Sequence, residues 1–308
     1  MPDGPQPPYR RRRGGPVPPA SERRAEVRRR RLALALALAA VGALVSVLAG
    51  MGGGRSHRSP VPAPASTPTG RPGAANHVAE SSQVRALIAL GKPIYCAARR
   101  GNEVALTFDD GPGVYTRLVL AKLRKHGVRA TFFDVARNIS LVPGATREEE
   151  AAGGVGDHTY THPLLTALSP QDAELEIVSA QAALERSTRR PVFLFRPPYG
   201  GRSESIDAMA RAHGLLEIMW TVDSADSLGA NYAQIERNVI DGLHGGSIIL
   251  MHENHGQTVR ALLGIFAALE RRHLRAVSVA QLLSDDPPST AQVRAGGLGC
   301  GTRVAQRT

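Results

Sequence analysis

From about residue 79 the chain alternates between short apolar runs and longer segments whose apolar residues recur every three or four positions. The runs 104–108, 130–135, 192–195, 216–221, 246–251 and 275–279 predict strands, being short, apolar and bounded by Gly, Pro or polar residues. The segments 116–126, 170–186, 204–213, 233–243, 257–271 and 279–284 predict amphipathic helices. Such alternation predicts an α/β domain over residues 79–287, built on a mainly parallel sheet or a βα barrel. In a βα barrel the strands' carboxyl ends open on one face, where such enzymes carry their chemistry. Residues 288–308 show no clear period and read as a C-terminal tail.

Before residue 79 the pattern is different. Residues 1–31 form a basic tail with ten Arg against Asp3, Glu22 and Glu26, so +7 of the formal net charge of +11 lies there. Residues 32–54 carry no charge, and Leu32 to Gly50 is just long enough to cross a bilayer at about 1.5 Å per residue. A buried core helix has a similar composition, but the block Arg28–Arg31 at one end fits a membrane span better. The basic flank stays cytoplasmic, so a single-pass cell-membrane protein with an extracytoplasmic domain is expected. The alternative is a secreted protein released by cleavage after Val47-Leu48-Ala49, although signal cores usually run to about 7–15 residues. Residues 55–78, with Pro60, Pro62, Pro64, Pro68 and Pro72, read as a Pro/Gly/Ser-rich linker. The rest of the charge is mildly basic and accompanies no nucleic-acid motif, so no nucleic-acid partner is expected. Cys96 and Cys300 are the two cysteines. In an exported chain they suggest a disulfide joining the ends of the domain, with two unpaired thiols left open.

The candidate chemistry falls at strand exits. Thr107-Phe108-Asp109-Asp110-Gly111-Pro112 puts two adjacent carboxylates where an apolar strand breaks. Neighbouring side chains diverge there, so Asp110 could bind an ion while Asp109 accepts a proton from water. His158 and His162 stand four apart, as two imidazoles presented by a single turn would. With Asp110 they make a two-His-one-carboxylate set, which leaves positions open for water and substrate. Arg196-Pro197-Pro198-Tyr199-Gly200 is a rigid loop that fixes Arg196 and Tyr199, where a guanidinium could orient a carboxylate and a backbone N–H could face an oxyanion. His252 ends an apolar run and could act as a general acid, with Asp226 holding and tuning it. His255, three residues on, is less well placed. His126, His213, His244 and His273 lie on or beside helical patterns and read as surface residues. Each group alone has a plainer reading: a capping or turn Asp pair, a structural His pair, an ordinary βα turn.

In order, Thr107–Pro112, His158–His162, Arg196–Gly200, the Asp223…Asp226 segment and Leu250-Met251-His252 resemble the five motifs of the polysaccharide deacetylases, the NodB-type domain of carbohydrate esterase family 4. Lys125–Phe133 resembles the family's second strand and its lead-in. The resemblance covers roughly residues 93–285. It implies a distorted (β/α) barrel and a divalent ion, zinc first, cobalt or nickel otherwise. It implies Asp110, His158 and His162 as metal ligands, Asp109 as base and His252 as acid tuned by Asp226. Arg196 would support Asp109, and the Tyr199 backbone N–H would face the oxyanion. The implied activity is metal-dependent removal of N-acetyl groups from an amino-sugar polymer by a monomeric enzyme. The Arg/Ala/Pro-rich tail resembles that of a high-GC Gram-positive bacterium, which puts peptidoglycan N-acetylglucosamine first, chitin oligomers second and acetyl xylan third. A non-catalytic glycan-binding protein on the same barrel, or a cyclic-amide hydrolase, are the other classes. Two departures stand out. Ser227 occupies a position where the family often has Trp, and Gly153–Gly156 makes the approach to His158 about one residue shorter than usual.

Overall fold

Residues that recur with period two along the first long strand determine how the sheet is used. Strand β1 (Glu103–Gly111) is buried along nearly its whole length, as a central parallel strand must be. Val104, Leu106 and Phe108 face outward into a core with helices, whereas Ala105 joins a second cluster with Phe133, Leu194, Ile218, Ile248 and Val277. Alternation therefore puts Thr107 and Asp109 on the same face as Ala105, inside the curl of the sheet.

The computed structural model describes residues 81–300. The other strands are β2 (Thr131–Asp134), β3 (Val155–Asp157), β4 (Leu194–Phe195), β5 (Leu216–Glu217), β6 (Val222–Asp223), β7 (Ile248–His252) and β8 (Arg275–Val277). They form one parallel sheet of order β5-β4-β3-β2-β1-β7-β6, with β8 paired to the start of β1. The sheet's two edges are consecutive in sequence: β5 pairs with β4 and β6 with β7. The segment 216–223 thus runs from one edge to the other and closes a distorted α/β barrel. It is a single apolar run in sequence, but Met219 and Trp220 lie where it changes partner, so only its two ends are strand.

Helices α1 (Ser82–Leu90), α2 (Thr116–His126), α3 (Ala145–Ala152), α4 (Pro170–Thr188), α5 (Glu204–Ala212), α6 (Tyr232–Gly242), α7 (Gly256–Arg271), α8 (Val279–Asp285) and α9 (Thr290–Ala295) surround the sheet. Their starts are written locally. Ser81, Ser169, Ser203, Ser278 and Ser289 each accept a backbone N–H at a helix N-terminus, a cap of about 1 kcal/mol. Asn231 and Gln234 form a reciprocal capping box at α6. Helix α2 buries Val119, Leu120 and Leu123, carries Arg124, Lys125 and His126 in its last turn, and stops at Gly127 with φ 63°.

Four elements depart from the sequence expectation. Strand β3 holds only Val155, Gly156 and Asp157, too short and too poor in β-formers to register as a strand. Helices α1 and α3 are short and were absent from the apolar pattern. Residues 290–300, read as tail, form α9 and a 3₁₀ turn ending at Cys300. Cys300 is disulfide-bonded to Cys96, with Cα atoms 5.9 Å apart, so this C-terminal segment is tied to the start of the barrel. Among the described residues no helix is long and apolar enough to cross a membrane. The basic tail, the apolar segment 32–54 and the linker 55–78 lie outside the described residues.

Candidate active site

The carboxyl ends of β1, β3, β4 and β7 deliver Asp109 and Asp110, His158, Arg196, and His252 to one end of the barrel. Asp109 continues the inward face of β1. A register irregularity between Asp109 and Gly111 follows at once, and Asp110 takes a left-handed backbone with φ 72°. This turn is what lets two neighbouring acids do different work. Thr159, His162, Tyr199 and Ala225 also have positive φ. None is glycine, and each such residue costs on the order of 1–3 kcal/mol that the surrounding packing must hold. Arg99, Arg189 and His273 share this backbone elsewhere, so five of the eight such residues among those described lie in the motif segments.

Arg196 is fully buried. Its Nη1 donates to Asp109 Oδ1 at 2.6 Å and to Thr107 Oγ1 at 2.8 Å. Its Nε and Nη2 donate to the Ile218 and Met219 carbonyls, 3.0 and 3.3 Å away. The guanidinium also lies 4.1 Å above the Phe133 ring. Asp109 is held in one orientation by this contact, with Oδ2 3.7 Å from His158 Nε2.

Asp110, His158 and His162 converge. Asp110 Oδ1 lies 3.1 Å from His162 Nε2 and 3.6 Å from His158 Nε2. His158 Nδ1 is 2.6 Å from the Arg196 carbonyl, which can only accept, so Nδ1 carries the proton and the Nε2 lone pair faces Asp110. His162 Nδ1 lies 3.2 Å from the Tyr199 hydroxyl, which can receive its proton in the same way. Burial lowers the His158 pKa more than Asp109 and Asp110 raise it, favouring the neutral ring. Burial pushes the Asp110 carboxyl up, but the contact with His162 and the charges of His158 and His252 outweigh it and hold the carboxyl well below its ordinary value. Asp110 Oδ1 is buried and makes no hydrogen bond. Two imidazole nitrogens and one oriented oxygen, in reach of each other, fit a borderline divalent ion such as Zn²⁺, Co²⁺ or Ni²⁺. The shortened approach to His158 does not displace the pair from Asp110.

Across the barrel mouth, His252 Nδ1 is 2.7 Å from Asp226 Oδ1, and the His252 backbone N–H donates to Oδ2 at 2.7 Å. Burial lowers the His252 pKa, but Asp226, Asp109 and Asp110 raise it further, to about 9. These carboxylates favour the imidazolium, whose Nε2 is left free by the bond from Nδ1 to Asp226. Ser227 is exposed, and its N–H donates to Asp226 Oδ1 at 2.8 Å, so it supports the carboxylate where the family often has Trp.

The eight residues singled out from sequence all come to this end of the barrel. His255 stays apart, its ring centre 5.9 Å from that of His252. Sequence reading missed Thr258, whose hydroxyl donates to Asp226 Oδ2 at 2.6 Å, and Asn254, whose amide donates to Asp110 Oδ2 at 3.2 Å. Asn254 stands between His252 and His255, and nothing in the sequence marks it or Thr258.

Residues 97–218 match the family described as polysaccharide deacetylase. A chitooligosaccharide deacetylase of Azorhizobium caulinodans is 32% identical, covering 56% of this chain and 90% of that protein. A peptidoglycan-N-acetylglucosamine deacetylase of Listeria monocytogenes is 33% identical over 61% of this chain, which spans 40% of the length of that relative. The crystal structure of the Bc1960 peptidoglycan N-acetylglucosamine deacetylase is similar at a TM-score of 0.61 and 30% identity, covering 64% of this chain and 95% of that one. The family match ends before Asp226 and His252, and the barrel geometry supplies that half of the site. With a parallel barrel, an Asp-His-His cluster and an Arg-held Asp at the strand ends, the chain belongs to the polysaccharide deacetylase family.

Proposed function

We propose that this chain is a metal-dependent N-deacetylase of an amino-sugar polymer, with peptidoglycan N-acetylglucosamine as its first substrate. The observation that carries the reading is the placement of two proton carriers on adjacent strand ends beside the Asp110–His158–His162 cluster: Asp109, oriented by Arg196, and His252, paired with Asp226. A zinc-like ion held by those three residues would supply Lewis-acid polarisation of the carbonyl and acidify the attacking water. Asp109 accepts the water's proton, and its bond to Arg196 keeps the second oxygen pointed into the site. The Tyr199 main-chain N–H, held by a left-handed turn between prolines and Gly200, faces the developing oxyanion. His252 gives its Nε2 proton to the departing nitrogen as the C–N bond breaks, leaving acetate and a free amine. The relatives named for peptidoglycan and for chitooligosaccharide support a β-linked N-acetylglucosamine polymer and leave chitin oligomers as second choice. The apolar segment 32–54 behind Arg28–Arg31 supports a single-pass anchor that holds a monomeric catalytic domain outside the cell membrane.

Three outcomes follow. The full chain, stripped with a chelator and restored with Zn²⁺ or Co²⁺, releases acetate from peptidoglycan or chitin oligomers, and Asp109→Ala lowers the rate by about 10²–10⁴-fold. Glycan binding without acetate release would point instead to a non-catalytic role. A general acid works only while protonated, so activity falls as pH rises through the His252 pKa. Asp226→Asn removes the group that raises this pKa, so the alkaline limb of the kcat/KM profile moves to lower pH by about 1 unit or more; an unmoved limb would remove His252 from the acid role. On fractionation of a producing bacterium, the full-length chain pellets with membranes and its catalytic domain is open to external protease; a soluble form starting near residue 50 would favour signal cleavage.

A further inference from the structure

Against Gly111, three acids meet in the interior. Asp134 ends β2, Glu149 lies on α3, and Glu253 follows His252 at the end of β7. All three are fully buried. Each offers an oxygen, and these oxygens lie within 4.8 Å of one another. The proximity to β1 is tight enough to dictate its sequence: a Cβ at residue 111 would lie 1.7 Å from Glu253 Oε1 and 3.2 Å from Asp134 Oδ1. Glu253 Oε1 receives a hydrogen bond from the Thr116 hydroxyl at 2.7 Å.

A second, independent feature points to a ligand. The Thr146 hydroxyl, on α3 and 1% exposed, lies against Asp134 and favours its charged form, but no well-formed hydrogen bond satisfies it. Together with both oxygens of Asp134, both of Glu149 and Glu253 Oε2, six buried oxygens make none. The strongest electrostatic influences on these acids are other acids, and no Lys, Arg or His is among them. Three carboxylates sealed from water do not all keep their charge without a counter-charge. Burial accordingly pushes the Asp134 pKa to about 6 and that of Glu253 to about 8.

We propose that Asp134, Glu149, Glu253 and Thr146 form a second metal site, distinct from the Asp-His-His cluster, which takes a hard divalent cation, Ca²⁺ in the first instance. The donor set is entirely oxygen, its six unbonded atoms match the 6–8 ligands of Ca²⁺, and one oxygen of each acid lies near enough to the others to share an ion. The absence of imidazole or thiolate disfavours zinc. A cation here joins the ends of β1, β2 and β7 to α3, and so braces the strand ends that carry Asp109, Asp110 and His252.

The test uses the full chain carrying His162→Ala, which disables the Asp-His-His cluster, after exhaustive chelation. Calorimetric titration with Ca²⁺, and separately with Mg²⁺, is expected to give one equivalent of Ca²⁺ per chain and to raise the unfolding midpoint by about 5 °C. Adding Glu149→Gln, or separately Glu253→Gln, is expected to abolish both effects. If those variants fail to fold, crystals of the His162→Ala protein grown with Ca²⁺ decide the matter by density among the six oxygens. No uptake of either ion, uptake that survives both Gln substitutions, or density elsewhere would each overturn the proposal, the first leaving protons as the cluster's counter-charge.

Discussion

One buried guanidinium holds this barrel and its site together. Arg196 is wholly removed from water, and its guanidinium makes four hydrogen bonds, two to β1 and two to the crossing between β5 and β6. It reaches Thr107 and Asp109 on β1 and the carbonyls of Ile218 and Met219 where the chain crosses from β5 to β6. Its own backbone N–H donates to the Asp157 carbonyl on β3, and its carbonyl receives the His158 ring. Stranding such a charge by removing its partner costs about 3–5 kcal/mol. The barrel's interior must therefore close around Arg196 in one arrangement, and that arrangement fixes both the orientation of Asp109 and the tautomer of His158.

Strain is the complement of this rigidity. Asp110, Thr159, His162, Tyr199 and Ala225 all sit in left-handed backbone, Asp110 at the irregular end of β1 and the others in loops that follow strands. Short strands make this possible. Strands β4, β5 and β6 have two residues each, so the loops begin almost inside the barrel and are packed rather than free. The disulfide between Cys96 and Cys300 adds a tie at the opposite end of the chain's course, where α9 packs beside the start of the barrel. Rigidity at the base and strained loops at the mouth are two parts of one construction.

Much of the site was legible in sequence because its groups are tied to strand exits. Period-two alternation through Val104–Phe108 locates Asp109 on the inner face, and the Gly-Pro that follows marks the exit. Helices α2, α4, α5, α6, α7 and α8 lie within a few residues of the limits their apolar stripes predict, and all but α7 also carry a cap or glycine stop. What could not be read depends on packing between distant elements. Strand β3 contains a glycine and an aspartate and is a strand only because β2 and β4 flank it. Thr258 reaches Asp226 from the first turn of α7, 32 residues away. The interior set of Asp134, Glu149 and Glu253 reads in sequence as three ordinary acids, because only the fold brings a strand end, a helix and a loop to one point.

The central claim is that Arg196 serves catalysis through Asp109 rather than on its own account. A double-mutant cycle on kcat/KM with Arg196→Lys and Asp109→Ala tests it, with folding checked by circular dichroism and Zn²⁺ affinity measured alongside. Arg196→Lys alone is expected to lower kcat/KM by about 10²-fold with Zn²⁺ affinity changed far less, and to cost almost nothing more once Asp109 is already alanine. Losses that simply multiply would contradict the account, because Arg196 would then be acting on the reaction by a route that does not pass through Asp109.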